Sequence, residues 1–305
     1  MPGCIQRLPR GPMQLLPWSY PCPEGFTLRG LRSAPSGKPL LHFLHGNGFC
    51  SMAYQPMLAL LAESFDLWLS DVQGHGDTDH GGPFLGWNRT AELAAEAFEA
   101  GLDAYGEVPR YALGHSFGGV LTCLIVAERP QLFRKAVMLD PVIFTPSMIG
   151  SLGVLSALGL NRRHSLARKA AARRRRWPDR AAAKAALANR GIFKGWSDAA
   201  LAAYVEHGLK DDEQGVALKC APEREVDIYS SFPRRLWRSL RQVKTPSLVI
   251  HGRDSYPYVA RSIKRWAAIN RHLSTQVIDG QHCFMQVDPA TSARSIQGFL
   301  QTEGR

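Results

Sequence analysis

A chain of 305 residues, 45% hydrophobic and 21% charged, can bury a large α/β core with an insertion, and it has no run of the ~18 apolar residues that a membrane helix needs. Six scattered cysteines, Cys4, Cys22, Cys50, Cys123, Cys220 and Cys283, form no C-x-x-C pair; they indicate neither a zinc site nor a disulfide framework, and suit free thiols in a reducing cytoplasm. The net charge of +11 is local, because eleven Lys or Arg stand against Asp179 alone between Asn161 and Arg190, so general nucleic-acid binding is not expected.

Met1 to Gln14 holds prolines and arginines without a continuous apolar stretch and does not read as a secretory signal. Met13–Leu16 and Phe26–Leu31 suit edge strands, with Pro35-Ser36-Gly37 as the following turn. Leu40–His45 is apolar on both faces, a buried strand that ends in His45-Gly46-Asn47-Gly48-Phe49. Helical spacing over Met52–Ala62 is followed by a second buried strand, Phe65–Asp71, and the turn Val72-Gln73-Gly74-His75-Gly76-Asp77-Thr78. An alanine-rich amphipathic helix spans Thr90–Tyr105 and closes at Gly106.

Tyr111–Gly114 is the next short strand. It runs into Gly114-His115-Ser116-Phe117-Gly118, a G-x-S-x-G pentapeptide, and then into an apolar helix, Val120–Ala127. Taken alone the pentapeptide is a glycine-rich turn. Between a strand and a helix it predicts a serine on a strained corner, with glycines two residues either side so that chain segments can pass closely. The new helix would aim free N–H groups and its positive end at developing oxyanion charge.

Strands follow at Lys135–Asp140 and Ser247–Gly252, then a helix over Tyr258–Asn270, a strand at Ser274–Ile278, and a closing helix over Pro289–Leu300. Alternating strands and helices predict a mostly parallel sheet covered on both faces, with ligands beyond the carboxyl ends of its strands. His45-Gly46, Asp71, Ser116, Asp140, Asp254 and His282 all fall at such ends.

With these motifs the chain resembles the α/β-hydrolase superfamily, and within it the cap-bearing group that holds many esterases. The resemblance implies an α/β fold: an eight-stranded, mostly parallel sheet with helices on both faces, formed by 1–143 and 241–305, and a helical cap, 144–240, inserted after the sixth strand. It implies Ser116 as nucleophile and His282 as base, with a buried carboxylate fixing the histidine's tautomer. The oxyanion donors would be the Phe117 N–H and one from the His45–Gly48 turn, Asn47 first and Gly48 as a further candidate. His45, His75 and Asp77 are expected to brace their turns.

The acid is left open between two residues. Relatives commonly carry it three residues after the glycine that ends the seventh strand, but here Gly252 is followed by Arg253, Asp254 and Ser255, so the matching position is a serine. Asp140 ends the sixth strand, a position some members use instead. Asp140 is preferred, with Asp254 as the alternative.

The insertion is expected to select substrate. Ser151–Leu160 is a candidate pocket wall, Leu201, Ala202, Tyr204, Val205 and Leu209 form a helix face, and Trp177, Phe193, Trp196, Tyr229, Phe232 and Trp237 supply packing or acyl contacts. The run Arg173-Arg174-Arg175-Arg176 reads as a solvated helix face. Alternatively it attracts an anionic substrate or membrane surface, and less readily nucleic acid.

These residues point to a cytoplasmic serine hydrolase acting without metal or cofactor on an ester or thioester. The alternatives are a C–C bond hydrolase or lactonase using the same residues, and a binding protein of the same fold.

Overall fold

Five consecutive buried residues, Leu40–Leu44, set the pattern of the sheet: Leu41 and Phe43 enter one core, Leu40 and Leu44 the other. The same period of two recurs in the neighbouring strands, where Leu67, Leu69, Leu113, Val137, Leu139, Leu248 and Ile250 join the first core. Trp68, Ala112, Ala136, Met138 and Val249 join the second. Near-continuous apolar strands of this kind are stable only with both faces covered.

The structure is a computed structural model and describes residues 13–302. Cys4 and most of the Met1–Gln14 segment lie outside that range, and the other five cysteines are buried free thiols. The strands are β1 (Leu15–Pro21), β2 (Thr27–Ser33), β3 (Leu40–Leu44), β4 (Asp66–Asp71), β5 (Arg110–His115), β6 (Lys135–Leu139), β7 (Arg176–Trp177), β8 (Leu209–Asp212), β9 (Gly215–Leu218), β10 (Ser247–Gly252) and β11 (Leu273–Ile278). Eight of them form one sheet in the order β1-β2-β4-β3-β5-β6-β10-β11. The β1–β2 and β2–β4 pairs are antiparallel; β4–β3, β3–β5, β5–β6, β6–β10 and β10–β11 are parallel. Because β6 and β10 are neighbours, the loops after them lie side by side, and this positions the site.

Local signals end the helices close to where the sequence places them. Pro56 at the start of Gln55–Leu61 leaves the preceding Ser51–Tyr54 as a separate 3₁₀ turn. Gly101 stops the helix Trp87–Ala100, and Leu102–Ala104 continues only as 3₁₀. Thr145, Asp179, Ser197 and Asp288 each accept a backbone N–H at the start of a helix, the usual way the first orphan donors are satisfied.

Between β6 and β10 the chain forms helices over Pro146–Ala157, Ser165–Ala171, Arg180–Leu187, Asp198–His207, Pro222–Tyr229 and Leu236–Gln242. To these it adds a three-stranded antiparallel sheet, β7-β9-β8, which the apolar periodicity does not foreshadow. The arginine run departs from the expected helix face. The helix ends at Ala171, Arg173–Arg175 run irregularly, and Arg176 enters β7 opposite Ala217. Among the described residues no helix is long and apolar enough to cross a membrane.

Candidate active site

Ser116 sits between β5 and the helix Phe117–Glu128 with φ 55° and ψ −113°, a strained conformation for a non-glycine residue. The flanking glycines are steric necessities. A Cβ on Gly114 would lie 2.3 Å from the Gly118 carbonyl oxygen, and one on Gly118 would lie 2.2 Å from that of Leu44. The Ser116 N–H donates to the Leu139 carbonyl (2.9 Å), tying the corner to the end of β6.

The serine Oγ lies 2.9 Å from His282 Nε2, and His282 Nδ1 lies 2.5 Å from Asp140 Oδ2. Asp140 is fully buried and also has positive φ, 43°. Its carboxylate accepts from the Gly252 N–H at 2.9 Å and from the Ser255 hydroxyl. Burial pushes the Asp140 carboxyl up, but the donors His282, Ser255 and Gly252 outweigh it and hold the group below its ordinary value. Asp254 is exposed, and its carboxylate has no hydrogen-bond or ion-pair partner among the described residues; the neighbouring Arg253 pairs with Asp279 instead. Of the two candidate carboxylates, the fold brings Asp140 to the histidine.

Asn47, Phe117, Ser116 and His282 share the wall of one cavity. Among the described residues the Asn47 and Phe117 N–H groups donate to nothing, while the Gly48 N–H is taken by His75 Nε2 at 3.1 Å. Gly48 is therefore not an available oxyanion donor. Its amide serves the turn. His45 also braces this region: its Nδ1 lies 2.8 Å from the Gly46 carbonyl, and its Nε2 accepts the Val72 N–H at 3.2 Å. The Asp77 N–H reaches Asp71 at 3.3 Å, and the Asp77 carboxylate pairs with Lys219 at 2.6 Å.

Three contributors were not singled out from the sequence. Ser255 completes the shell of Asp140 from the position where relatives commonly place the acid itself. Tyr54 and His115 join the two active-site loops. His115 Nε2–H donates to the His282 carbonyl (3.1 Å), so Nδ1 of the neutral ring accepts from the Tyr54 hydroxyl (2.6 Å), whose oxygen accepts the Gly46 N–H (3.1 Å). Burial, with His282 close by, lowers His115 to about 3, which keeps it a neutral link. An exposed polar count would not find these residues, since their role depends on remote partners.

The cavity at Ser116, about 360 Å³, is walled by Trp87, Phe117, Phe144, Leu152, Ile228 and Tyr258, among others. Ser151 and Leu152 of the expected wall line it, and so does Tyr229. Trp177, Phe193 and Trp196 pack in the first core, and Trp237 packs against the second. A serine hydroxyl paired with an imidazole and a buried carboxylate, next to two unpaired N–H groups, can transfer a proton while an oxyanion forms.

A profile described as the alpha/beta hydrolase family matches residues 43–294. The chain belongs to that family. It is 24% identical over 278 residues to 2-(acetamidomethylene)succinate hydrolase of Mesorhizobium japonicum, covering 88% of this chain and 90% of that protein. It is 31% identical over 136 residues to mouse monoglyceride lipase and 43% over 140 residues to the rat enzyme, and each match spans only 44% of the relative's length. Among solved structures, E-2-(acetamidomethylene)succinate hydrolase superposes with a TM-score of 0.74 at 22% identity, over 95% of this chain and 100% of that one. The thioesterase domain from the curacin biosynthetic pathway superposes with a TM-score of 0.69 at 16% identity, over 93% and 99%. At these identities the superpositions speak to fold alone. The chain has the fold of a hydrolase.

Proposed function

We propose that this protein cleaves a carboxylic ester or thioester with an apolar acyl group through an acyl-enzyme. The observation that carries the reading is the Ser116 Oγ to His282 Nε2 contact of 2.9 Å at the wall of an apolar cavity. Ser116 attacks the carbonyl, and His282 takes the serine proton and returns it to the leaving oxygen or sulfur. Asp140 holds the His282 Nδ1–H and stabilises the imidazolium. The Asn47 and Phe117 N–H groups receive the oxyanion, each worth about 3 kcal/mol in the transition state. Water then reverses the sequence to release the acid. The monoglyceride lipases support an ester substrate, through less than half of their length.

A fluorophosphonate probe tests this. The expected result is one adduct on Ser116, absent in His282→Ala, with turnover of short and medium acyl esters. Folded protein that takes no adduct, or that cleaves β-diketones or dienoates but no ester, would overturn it.

A further inference from the structure

We infer that a second cavity beside His282 binds an anionic group, phosphate or carboxylate, carried on the leaving half of the substrate, and that Lys169, Arg190 and Lys194 hold it. The inference rests on the acyl-transfer reading above. The two cavities meet at shared residues. The apolar cavity contains Ser116 and Phe117; the second, about 600 Å³, does not, but Asn47, Leu166, Tyr229, Tyr256 and His282 line both. Chemistry assigns the halves. The acyl carbon bonds to Ser116, so its chain suits the apolar side. The leaving atom must sit at His282 Nε2, from which it takes its proton, and that is where the second cavity begins.

Four cations of the cap, Lys169, Arg173, Arg190 and Lys194, line this second cavity. Several of the cap's cations are paired at the surface: Arg175 with Glu223, Arg176 with Asp212, Arg180 with Asp211, Lys184 with Asp198 and Arg162 with Asp227. Arg173 lines the cavity but is held by Glu225 at 2.5 Å. Lys169, Arg190 and Lys194, all exposed, have no ion-pair partner among the described residues, and all three line the cavity, as does one unpaired carboxylate, Asp254. They come from separate places: the helix Ser165–Ala171, the turn after Arg180–Leu187, and the residue after Phe193. A concave wall with this excess of positive charge concentrates anions and speeds their arrival. In the step itself the C–O or C–S bond breaks, the proton from Ser116 passes through His282 to the leaving atom, and the anionic group is unchanged.

The test uses butyryl esters of phenol, 4-hydroxybenzoate and hydroquinone monophosphate, and reads the ratio of kcat/KM for each charged ester to that for the phenyl ester. The wild-type ratio should fall as NaCl rises to about 0.5 M, where the Debye length is only a few ångströms. It should fall about tenfold in the triple variant Lys169→Ala, Arg190→Ala, Lys194→Ala, and hold in Arg175→Ala. The ester with the higher ratio identifies phosphate or carboxylate as the preferred anion. A ratio that the triple variant leaves in place, or that Arg175→Ala lowers equally, overturns the site. If the triple variant does not fold, inhibition of the wild-type protein by phenyl phosphate but not by phenol supports the site, and equal inhibition overturns it. Turnover of phenyl butyrate without a charge effect defeats only this inference; no turnover and no Ser116 adduct defeats the acyl-transfer reading with it.

Discussion

The shell of Asp140 permits a sharp experiment, Asp140→Asn against Asp254→Asn. Three donors surround the buried carboxylate: the Gly252 N–H on Oδ1, and His282 Nδ1 with the Ser255 hydroxyl on Oδ2. In Asp140→Asn the new amide oxygen must stay with Gly252, because a backbone N–H cannot reverse, so the amide NH₂ replaces Oδ2. Ser255 can rotate to accept from it. His282 Nδ1 must then also accept, which moves the ring proton to Nε2, facing Ser116. The serine loses its base while the geometry stays intact. Inversion of the tautomer costs about 10⁴-fold in kcat, or about 5 kcal/mol of transition-state stabilisation. Asp254→Asn, on an exposed residue without a partner, should stay within about twofold. Hydrolysis of a 4-nitrophenyl ester, with thermal unfolding to show that both variants fold, reads the difference. Asp140→Asn within tenfold of wild type, or a large loss in Asp254→Asn, would refute the reasoning.

Other substitutions probe the supports. Ser255→Ala removes one charge-assisted bond from Asp140 and should lower kcat about tenfold with KM little changed, with partial recovery in Ser255→Thr; equal activity in all three proteins would remove Ser255 from the shell. Tyr54→Phe strands the buried Gly46 N–H and His115 Nδ1 and should cost about 2 kcal/mol of stability by urea unfolding; an unchanged midpoint would show that nothing depends on that link. Glu225→Ala leaves Arg173 without its carboxylate and should cost about 3 kcal/mol, with Glu225→Gln less severe; the Arg173 side chain keeps 19% exposure, so a loss well above this would mean a second defect. Burial lowers both His42 and His115 from 6.5 to about 3. Their neutral forms therefore contribute stability that is fully present above pH 6.5 and is lost as pH falls toward 3. Unfolding midpoints flat between pH 7 and pH 5 (about 0.5 unit above and about 1.5 units below the ordinary histidine value) would contradict that.

What the sequence makes legible here is what is local. The corner at Ser116 is readable because the need for small residues at Gly114 and Gly118 is met within five residues, and the strand cores are readable because each strand alternates between two faces. The cap sheet is less so: β7 is two residues at the end of an arginine run, and only Gly215, the first residue of β9 at φ 125°, marks a hairpin. The arginines look alike in sequence, yet one is half-buried against the buried Glu225, two are bound at the surface by Glu223 and Asp212, and Arg174 stacks over Trp177. Each of the three ion pairs depends on a partner dozens of residues away.

The acid shows why the ambiguity arises and how the fold resolves it. Asp140 and Asp254 both follow strand ends, and β6 and β10 are hydrogen-bonded neighbours, so linear spacing places either near His282. What separates them is backbone direction. The Asp140 N–H donates to the Ile250 carbonyl at 2.7 Å and its φ of 43° turns the side chain into the sheet end, whereas Asp254 bonds the Gly280 carbonyl through its own N–H and points outward. With a carboxylate already supplied by β6, the loop after β10 needs only donors, and Gly252 and Ser255 provide them. A serine at the position where relatives commonly carry the acid is then the complement of an acid housed one strand over. It follows that the double variant Asp140→Asn, Ser255→Asp should return a carboxylate to His282 from the neighbouring loop and recover part of the activity that Asp140→Asn loses, while Asp140→Asn, Asp254→Glu should not. Recovery in neither, with both proteins folded, would mean that the Ser255 position cannot reach His282 in this chain.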